Sequence, residues 1–358
     1  MKKKLAILGS QGIPSKYGGF ETLVEHLVVN LSKKIDITVF CSSKYVDTKL
    51  KEYKGAKLEY INIDANGWQS IFYDVLSILK SYRNNDCLLI LGSSGGIILP
   101  LLWRHRKKFI LNFGGLDWKR NKWNRLIQFY LKFSEKISVK SCDKLISDNQ
   151  GIRDYILNEY NLDSSLIAYG GDQAIRPIKR LKDTLYEFEN GEYFMTVARI
   201  QQDNNIELIL NSFINLPKYK IVIIGNWDKD NYGVDLKKTY SHYNNMYLID
   251  AVYDIVKLNY LRSKCKIYIH GHSAGGTNPA LVEAMNLGLP IFAFSSGFNE
   301  YTTHGEAKYF NSSDELKKLI NNIDKQELVD MGNQMKKIAL KNYTWLRISE
   351  KYEKLINL

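Results

Sequence analysis

Leu5-Ala6-Ile7-Leu8-Gly9-Ser10-Gln11-Gly12-Ile13-Pro14-Ser15-Lys16-Tyr17-Gly18-Gly19-Phe20-Glu21 lies near the start of the chain, and its reading decides the fold class. A short apolar run passes into a glycine-rich loop, and the loop opens a helical pattern that continues to residue 31. A run apolar at every position, with no alternation, suits a strand buried on both faces, the condition of a parallel sheet. The same grammar recurs. Apolar runs at 37–41, 58–63, 87–91, 109–112 and 144–147 alternate with helical patterns near 68–82 and 121–141. Strands at such intervals with helices between them are βαβ units.

The pattern then begins again. Residues 172–191 hold Pro177, several charges and no periodicity, and read as a linker. Runs at 193–198, 220–224, 246–249, 265–269 and 290–294 follow, with a helix at 205–213. The expected architecture is α/β, with two Rossmann-like doubly wound domains facing across a cleft: 1–171, a linker at 172–191, and 192–340. An amphipathic helix at 341–358 has no strand after it and is free to cross back over the junction. Ligands of such sheets sit outside the carboxyl ends of the strands.

The length of 358 residues agrees, since one hydrophobic core rarely organises that many. An apolar fraction of 45% and a charged fraction of 25% exclude disordered and low-complexity classes. No apolar stretch is long enough to span a bilayer. The start, Met1-Lys2-Lys3-Lys4, is basic, but the apolar segment after it is short and lacks a small-residue cleavage site, so it does not read as a signal peptide. Four dispersed cysteines without a CxxC read as buried thiols in a reducing compartment. The net charge of +12 is localised: residues 101–150 carry 12 Lys and Arg against 4 Asp and Glu, while 171–358 carry 24 against 22. A basic patch on one domain calls for an anionic partner, unless it is simply a solvated helix face.

Two loops are suited to phosphate. In the first, Gly18 and Gly19 allow close approach of a ligand to the backbone at a helix start, although the GxGxxG dinucleotide pattern is absent. The second is His270-Gly271-His272-Ser273-Ala274-Gly275-Gly276-Thr277-Asn278-Pro279-Ala280-Leu281-Val282-Glu283-Ala284-Met285. Asn278 is a favoured N-cap and Pro279 fits the first helical position. Gly275, Gly276 and Thr277 before the cap leave N–H groups for a diphosphate, and Glu283 is placed to accept from sugar hydroxyls. On this reading Glu283→Ala loses donor binding while the protein still folds.

A strand, a Gly-rich loop, a Glu-bearing helix and a Gly-x-Pro turn are similar to the nucleotide-sugar site of GT-B glycosyltransferases of family 4. The chain resembles most their rhamnosyltransferase-like branch, which builds bacterial surface polysaccharides. The resemblance rests on Gly12-Ile13-Pro14, Tyr17-Gly18-Gly19-Phe20-Glu21, Gly115-Leu116-Asp117-Trp118-Lys119-Arg120 with Lys122-Trp123, and Gly275–Pro279 with Glu283-Ala284-Met285. It implies a retaining transfer of a sugar, dTDP-L-rhamnose being the expected donor, onto a polyprenyl-diphosphate-linked saccharide. No residue by itself reads a 6-deoxy sugar or a thymine, so UDP- or GDP-linked donors remain the alternative. Neither a cofactor nor a metal is implied.

The family's first glutamate falls here on Gly275, and its donor-site lysine on Asn204, while its arginine matches Arg199. Donor binding is thus expected from Gly18, Gly19, Arg199, Asn204, His272, Gly275, Gly276, Thr277, Asn278 and Glu283. Asp117 and Asp148, at the ends of first-domain strands, either handle the acceptor's proton or serve as caps. His270 and His272 have no third ligand nearby in sequence, so contact with sugar or backbone is their reading.

A GxSxG pattern around Ser94 offers a hydrolase alternative, and the basic region a nucleic-acid-binding one, although no nucleic-acid motif is present. Arg104, Arg106, Lys107, Lys108, Lys119, Arg120 and Lys122, interleaved with tryptophans, are expected either to dock on an anionic membrane surface or to grip the acceptor diphosphate. The expected location is the cytoplasm, peripheral on the inner face of the cytoplasmic membrane.

Overall fold

A computed structural model describes residues 2–15, 18–46, 48–119, 123–175 and 186–358, with the backbone alone at 103 and 105–107. These residues form two compact units, Met1–Tyr169 with Trp345–Leu358, and Gly170–Thr344.

In the first unit the strands are β1 (Lys4–Leu8), β2 (Asp36–Ser42), β3 (Glu52–Tyr53), β4 (Ala56–Ile61), β5 (Cys87–Leu91), β6 (Phe109–Asn112), β7 (Lys144–Ser147) and β8 (Ser165–Leu166). They form one sheet in the order β3-β4-β2-β1-β5-β6-β7-β8. Every pair is parallel except the β3–β4 hairpin. The helices are α1 (Gly19–Leu31), α2 (Gln69–Ser81), α3 (Arg125–Ser141) and α4 (Gln150–Tyr160). Strands β1 and β5 are almost wholly buried, as their unbroken apolar runs require.

The second unit carries β9 (Tyr193–Val197), β10 (Lys220–Ile224), β11 (Met246–Ile249), β12 (Ile267–His270), β13 (Ile291–Phe294) and β14 (Lys308–Phe310). Their order is β11-β10-β9-β12-β13-β14, parallel throughout. Its helices are α5 (Ile206–Phe213), α6 (Asn231–Tyr240), α7 (Ile255–Lys264), α8 (Pro279–Asn286), α9 (Phe298–Thr303), α10 (Ser313–Asn321) and α11 (Lys325–Asn342). Both units are Rossmann-like. In each, the first strand lies inside the sheet and the chain winds away from it in two directions, which makes a switch point at β1/β5 and at β9/β12.

Two segments depart from the expected pattern. The apolar stretch 88–103, whose glycines and Pro100 read as strand, loop and helix, continues after β5 as a 3₁₀ segment, Gly96–Lys108, broken at Leu102. Pro100 inside it lacks an N–H and disfavours helical geometry in the residue before it. The expected linker is also shorter, because Asp172–Ile175 is a 3₁₀ turn of the second unit and Glu187–Asn190 another, with Phe188 fully buried. Residues 176–185 of that expectation lie outside the described residues.

The last helix, α12 (Trp345–Asn357), packs into the first unit. Trp345 stacks on His26 at 4.2 Å, Asn30 Nδ2 donates to Ser349 Oγ at 2.9 Å, and Asn112 Nδ2 donates to Tyr352 Oη at 2.6 Å. Ile348, completely buried, is the apolar centre of this contact. Ile348→Ala should cost about 2–5 kcal/mol. Urea unfolding followed by hydrogen exchange should locate the loss in α1 and α12, with α8 and α11 retaining their protection.

Candidate functional site

The loop after β9 and the loop after β12 flank the switch point of the second sheet, and side chains stitch them together. Asn204, buried, donates from Nδ2 to the carbonyl of Arg199 at 2.8 Å and faces His272 Nδ1 with Oδ1 at 2.9 Å. Since Nδ2 is committed to a carbonyl, Oδ1 is the acceptor, and His272 carries its proton on Nδ1. A Cβ on Gly275 would lie 3.9 Å from His272 Nε2, so this edge of the ring borders the glycine loop. Asn205 Nδ2 donates to the Gly271 carbonyl at 2.8 Å, and Ser273 N donates to the Asp203 carbonyl at 2.8 Å. A Cβ on Gly271 would lie 2.2 Å from the Asn204 carbonyl oxygen, so the close approach requires glycine there.

Asn204 thus acts within the protein: both ends of its amide hold the Arg199 and His272 loops in register. Arg199 follows β9 directly, is exposed, and has no ion-pair partner among the described residues.

Asn278 caps α8, accepting from Ala280 N at 3.0 Å, with Pro279 at the first helical position. Gly275 has φ +92°, a conformation costly for any residue with a Cβ. A glutamate at that position would strain the loop, which accounts physically for the missing member of the glutamate pair. Thr277 is buried beside the cap. His270, also buried, has Nε2 without a partner, and burial followed by the neighbouring His272 lowers its pKa to about 3, so it is neutral.

Glu283 is not a free carboxylate. Its Oε2 pairs with Arg262 Nη1 at 2.8 Å and its Oε1 accepts from Gln173 Nε2 at 2.6 Å. Arg262, on α7, is 1% exposed and also donates to Asn259 Oδ1 at 3.2 Å. Gly171 lets the chain approach α8 so closely that a Cβ there would lie 2.6 Å from the Val282 carbonyl. Sequence reading missed Arg262 and Gln173 because they come from an unremarkable helix and from the expected linker. The expectation that Glu283→Ala spares the fold is overturned, since it would strand a buried guanidinium.

In the first unit the switch-point loops converge on Phe20 and Glu21. The Phe20 ring lies against Gly92 and so close to Gly114 that a Cβ there would come within 2.4 Å. Glu21, buried, accepts from Gln11 N at 2.8 Å, and Gly18 has φ +129° beside its carboxylate. Gly19 begins α1. Asp117, half-buried, opens the short turn Asp117–Lys119, whereas Asp148 is 2% exposed at the end of β7.

Another carboxyl, Asp74 on α2, is buried and accepts from Ser94 Oγ. Burial, opposed by the Ser94 hydrogen bond and reinforced by the charge of Asp117, raises its pKa to about 7. Ser94 therefore serves a carboxyl and not an imidazole, which removes the hydrolase reading.

The expected basic patch is only partly described. Arg104 and Lys119 are exposed, but Lys108 Nζ donates to the Asn85 carbonyl at 3.0 Å. Arg120 and Lys122, with the side chains of Arg106 and Lys107, lie outside the described residues. Of the tryptophans of the patch, Trp118 and Trp123 are half-buried, and Lys132 Nζ covers the Trp118 ring at 4.7 Å.

Residues 178–342 match the family described as Glycosyl transferases group 1. Residues 2–172 match a domain of unknown function, DUF1972. No curated protein matches the chain by sequence. Among solved structures, the chain is similar to a sucrose-phosphate synthase from Thermosynechococcus elongatus, at 13% identity and a TM-score of 0.78 over 99% of this chain and 98% of that one. It is also similar to Anabaena HepE in complex with UDP and glucose, at 14% identity and a TM-score of 0.77 over 100% of both. An E. coli trehalose-6-phosphate structure bound with UDP-2-fluoro glucose matches at 11% identity and a TM-score of 0.72 over 99% of both. At such identities these likenesses establish the fold, which is GT-B.

Two outcomes follow from the buried carboxyls. Removing one partner of a buried pair typically costs about 3–5 kcal/mol, so Glu283→Ala should destabilise the second unit by that amount, and Glu283→Gln by less. The double variant Arg262→Met/Glu283→Met should unfold near the wild-type urea midpoint. For Asp74, the folded pKa lies above the unfolded one, so the folded chain holds the proton more tightly. Stability then declines as pH rises from about 4 through about 7. Asp74→Asn should flatten that slope, gaining up to about 4 kcal/mol over wild type at pH 8 and almost nothing at pH 4 in urea titrations.

Proposed function

We propose that this chain, a nucleotide-sugar glycosyltransferase whose second unit carries the group 1 glycosyltransferase domain, retains anomeric configuration and moves L-rhamnose from dTDP-L-rhamnose onto a polyprenyl-diphosphate-linked saccharide. The observation that carries the donor reading is the Glu283 carboxylate, held by Arg262 and Gln173 on α8, the helix that the Gly275-Gly276 loop leads into beside the β9/β12 switch point. A carboxylate has about four acceptor positions, and two protein donors leave room for the hydroxyls of a nucleoside sugar. Its orientation is set before the ligand arrives, so little ordering cost falls on binding.

The glycines before α8 present N–H groups at a helix start, a setting suited to the donor diphosphate. Arg199, exposed and without an ion-pair partner among the described residues, adds the side-chain cation. When the bond from the anomeric carbon to the diphosphate breaks, negative charge grows on the leaving oxygen, and these fixed donors stabilise it. His272, whose Nε2 borders Gly275, contacts the transferred sugar. Asp117, in the first unit, orients the acceptor hydroxyl.

The resemblance of three motifs to the rhamnosyltransferase-like branch supports the rhamnosyl donor and the lipid-linked acceptor, and such an acceptor calls for an enzyme that works at a membrane face. Two of the similar structures contain UDP with glucose or UDP-2-fluoro glucose, which makes a uridine donor the second reading.

Thermal shift with dTDP, UDP and GDP separates the two. A ligand at 100 times its Kd should stabilise by about 2.7 kcal/mol. Stabilisation by dTDP alone is the expected result, and stabilisation by UDP with none by dTDP would replace the first reading by the second. Arg199→Ala should keep the fold and lose about 10²–10³ in kcat for nucleoside diphosphate release.

A further inference from the structure

The described Trp and Phe residues that stand exposed are Trp68, Phe72, Phe129 and Phe133, and all four lie at or on α2 and α3. On α2, Phe72, Leu76 and Leu79 recur at helical spacing on the outer face, and Trp68 packs edge-on to Phe72 just before it. On α3, Leu126 is 81% exposed and Phe129 74%, followed by Phe133 one turn later. Between the helices runs the segment Gly96–Lys108, with Ile97 exposed and Leu101 at 75%.

These three elements lie side by side. A Cβ on Gly95 would meet Asp74 of α2 at 2.8 Å, and one on Gly96 would meet Ser134 and Ser138 of α3 at under 3 Å. The glycine pair that imitates a hydrolase motif is thus what lets the two helices close on the segment. Right-handed crossovers put all of them on one side of the sheet. An apolar surface of this extent, gathered on one side of a soluble unit, marks an interaction site.

Charge selects the partner. The acidic residues of α2 and α3 are Asp74 and Glu135, and both are buried. The segment between them has none. Lys80, Arg83, Arg104, Arg125, Lys136 and Lys140 are exposed around the apolar stripes. A second copy docking through this face by a twofold axis would bring the basic groups against their own equivalents. A nucleic acid would meet the charges but leave the Phe and Leu rows unburied. An anionic bilayer satisfies both, with lipid headgroups for the rim and acyl chains for the rows. No helix among the described residues is long and apolar enough to cross a membrane, so the contact is lateral.

We infer that the outer face of α2, Gly96–Lys108 and α3 inserts shallowly into an anionic lipid leaflet. The inference deepens the membrane reading proposed above and rests on it. It replaces the half-buried Trp118 and Trp123 by Phe129, Phe133, Phe72 and Trp68 as the anchoring side chains.

The test is sedimentation of the full chain with phosphatidylglycerol–phosphatidylcholine vesicles and with phosphatidylcholine alone. Binding should require the anionic lipid, weaken with salt, and fall at least about tenfold in Phe129→Ser/Phe133→Ser. That variant removes exposed side chains, so its melting temperature and its nucleotide-induced thermal shift should match wild type. Leu340→Ser/Leu346→Ser, exposed apolar residues outside this face, should bind like wild type. As a check independent of α3, brominated lipids should quench wild-type tryptophan fluorescence more than that of Trp68→Phe. Anionic binding undiminished in Phe129→Ser/Phe133→Ser, with equal quenching in Trp68→Phe, would overturn this face and leave the membrane reading standing. Absence of binding at low salt would overturn both while leaving the nucleotide result untouched. Self-association lost in the variant, or retention of RNA without vesicle binding, would assign the face to another partner.

Discussion

A sheet that starts from an inner strand and winds away in both directions cannot cover the carboxyl end of that strand. The connections that leave the two strands of the switch point lie on opposite faces, and a crevice remains between the loops. Both units obey this constraint, at β1/β5 and at β9/β12. In each, the crevice is bordered by glycines in conformations or contacts that a Cβ would spoil, namely Gly18 and Gly114 in one, Gly271 and Gly275 in the other.

The second crevice is made rigid by polar side chains whose partners lie far away in sequence. Asn204 and Asn205 tie the loop after β9 to the loop after β12, and Asn299 Nδ2 adds a bond to the His272 carbonyl at 2.8 Å. Arg262 and Gln173 fix Glu283. A buried guanidinium is expensive to desolvate, and a hydrophobic replacement for the pair would often be at least as stable. Its presence is therefore better explained by orientation of the carboxylate than by stability of the core.

The first unit stores its polar burden differently. Asp74 sits in surroundings that favour its protonated form, held by Ser94 and pressed by the charge of Asp117. The same burial that raises its pKa removes the only acid of α2 from the surface, as burial of Glu135 does for α3. The outward side of these helices is left without an acidic group, so packing inside the unit and the character of its exterior are linked.

The alternation of strand and helix, the restart after the first unit, and the cap at Asn278-Pro279 were all legible in the sequence. Each is a local property, encoded by spacing of apolar residues or by neighbours within one helical turn. The glycine loops were legible for the same reason, because positive φ and helix starts leave a composition signature. What only the tertiary structure decided were pairings between distant residues: Arg262 and Gln173 on Glu283, and Asn204 on His272. Gln173 and Arg262 sit in segments whose own patterns say nothing of Glu283. Helix α3 is a further case, since Ile127, Leu131, Phe133, Ile137 and Val139 place apolar side chains on more than one of its faces. Periodicity cannot say which of them the sheet will cover. The structure packs Ser134 and Ser138 against Gly96 and leaves Phe129 and Phe133 outside.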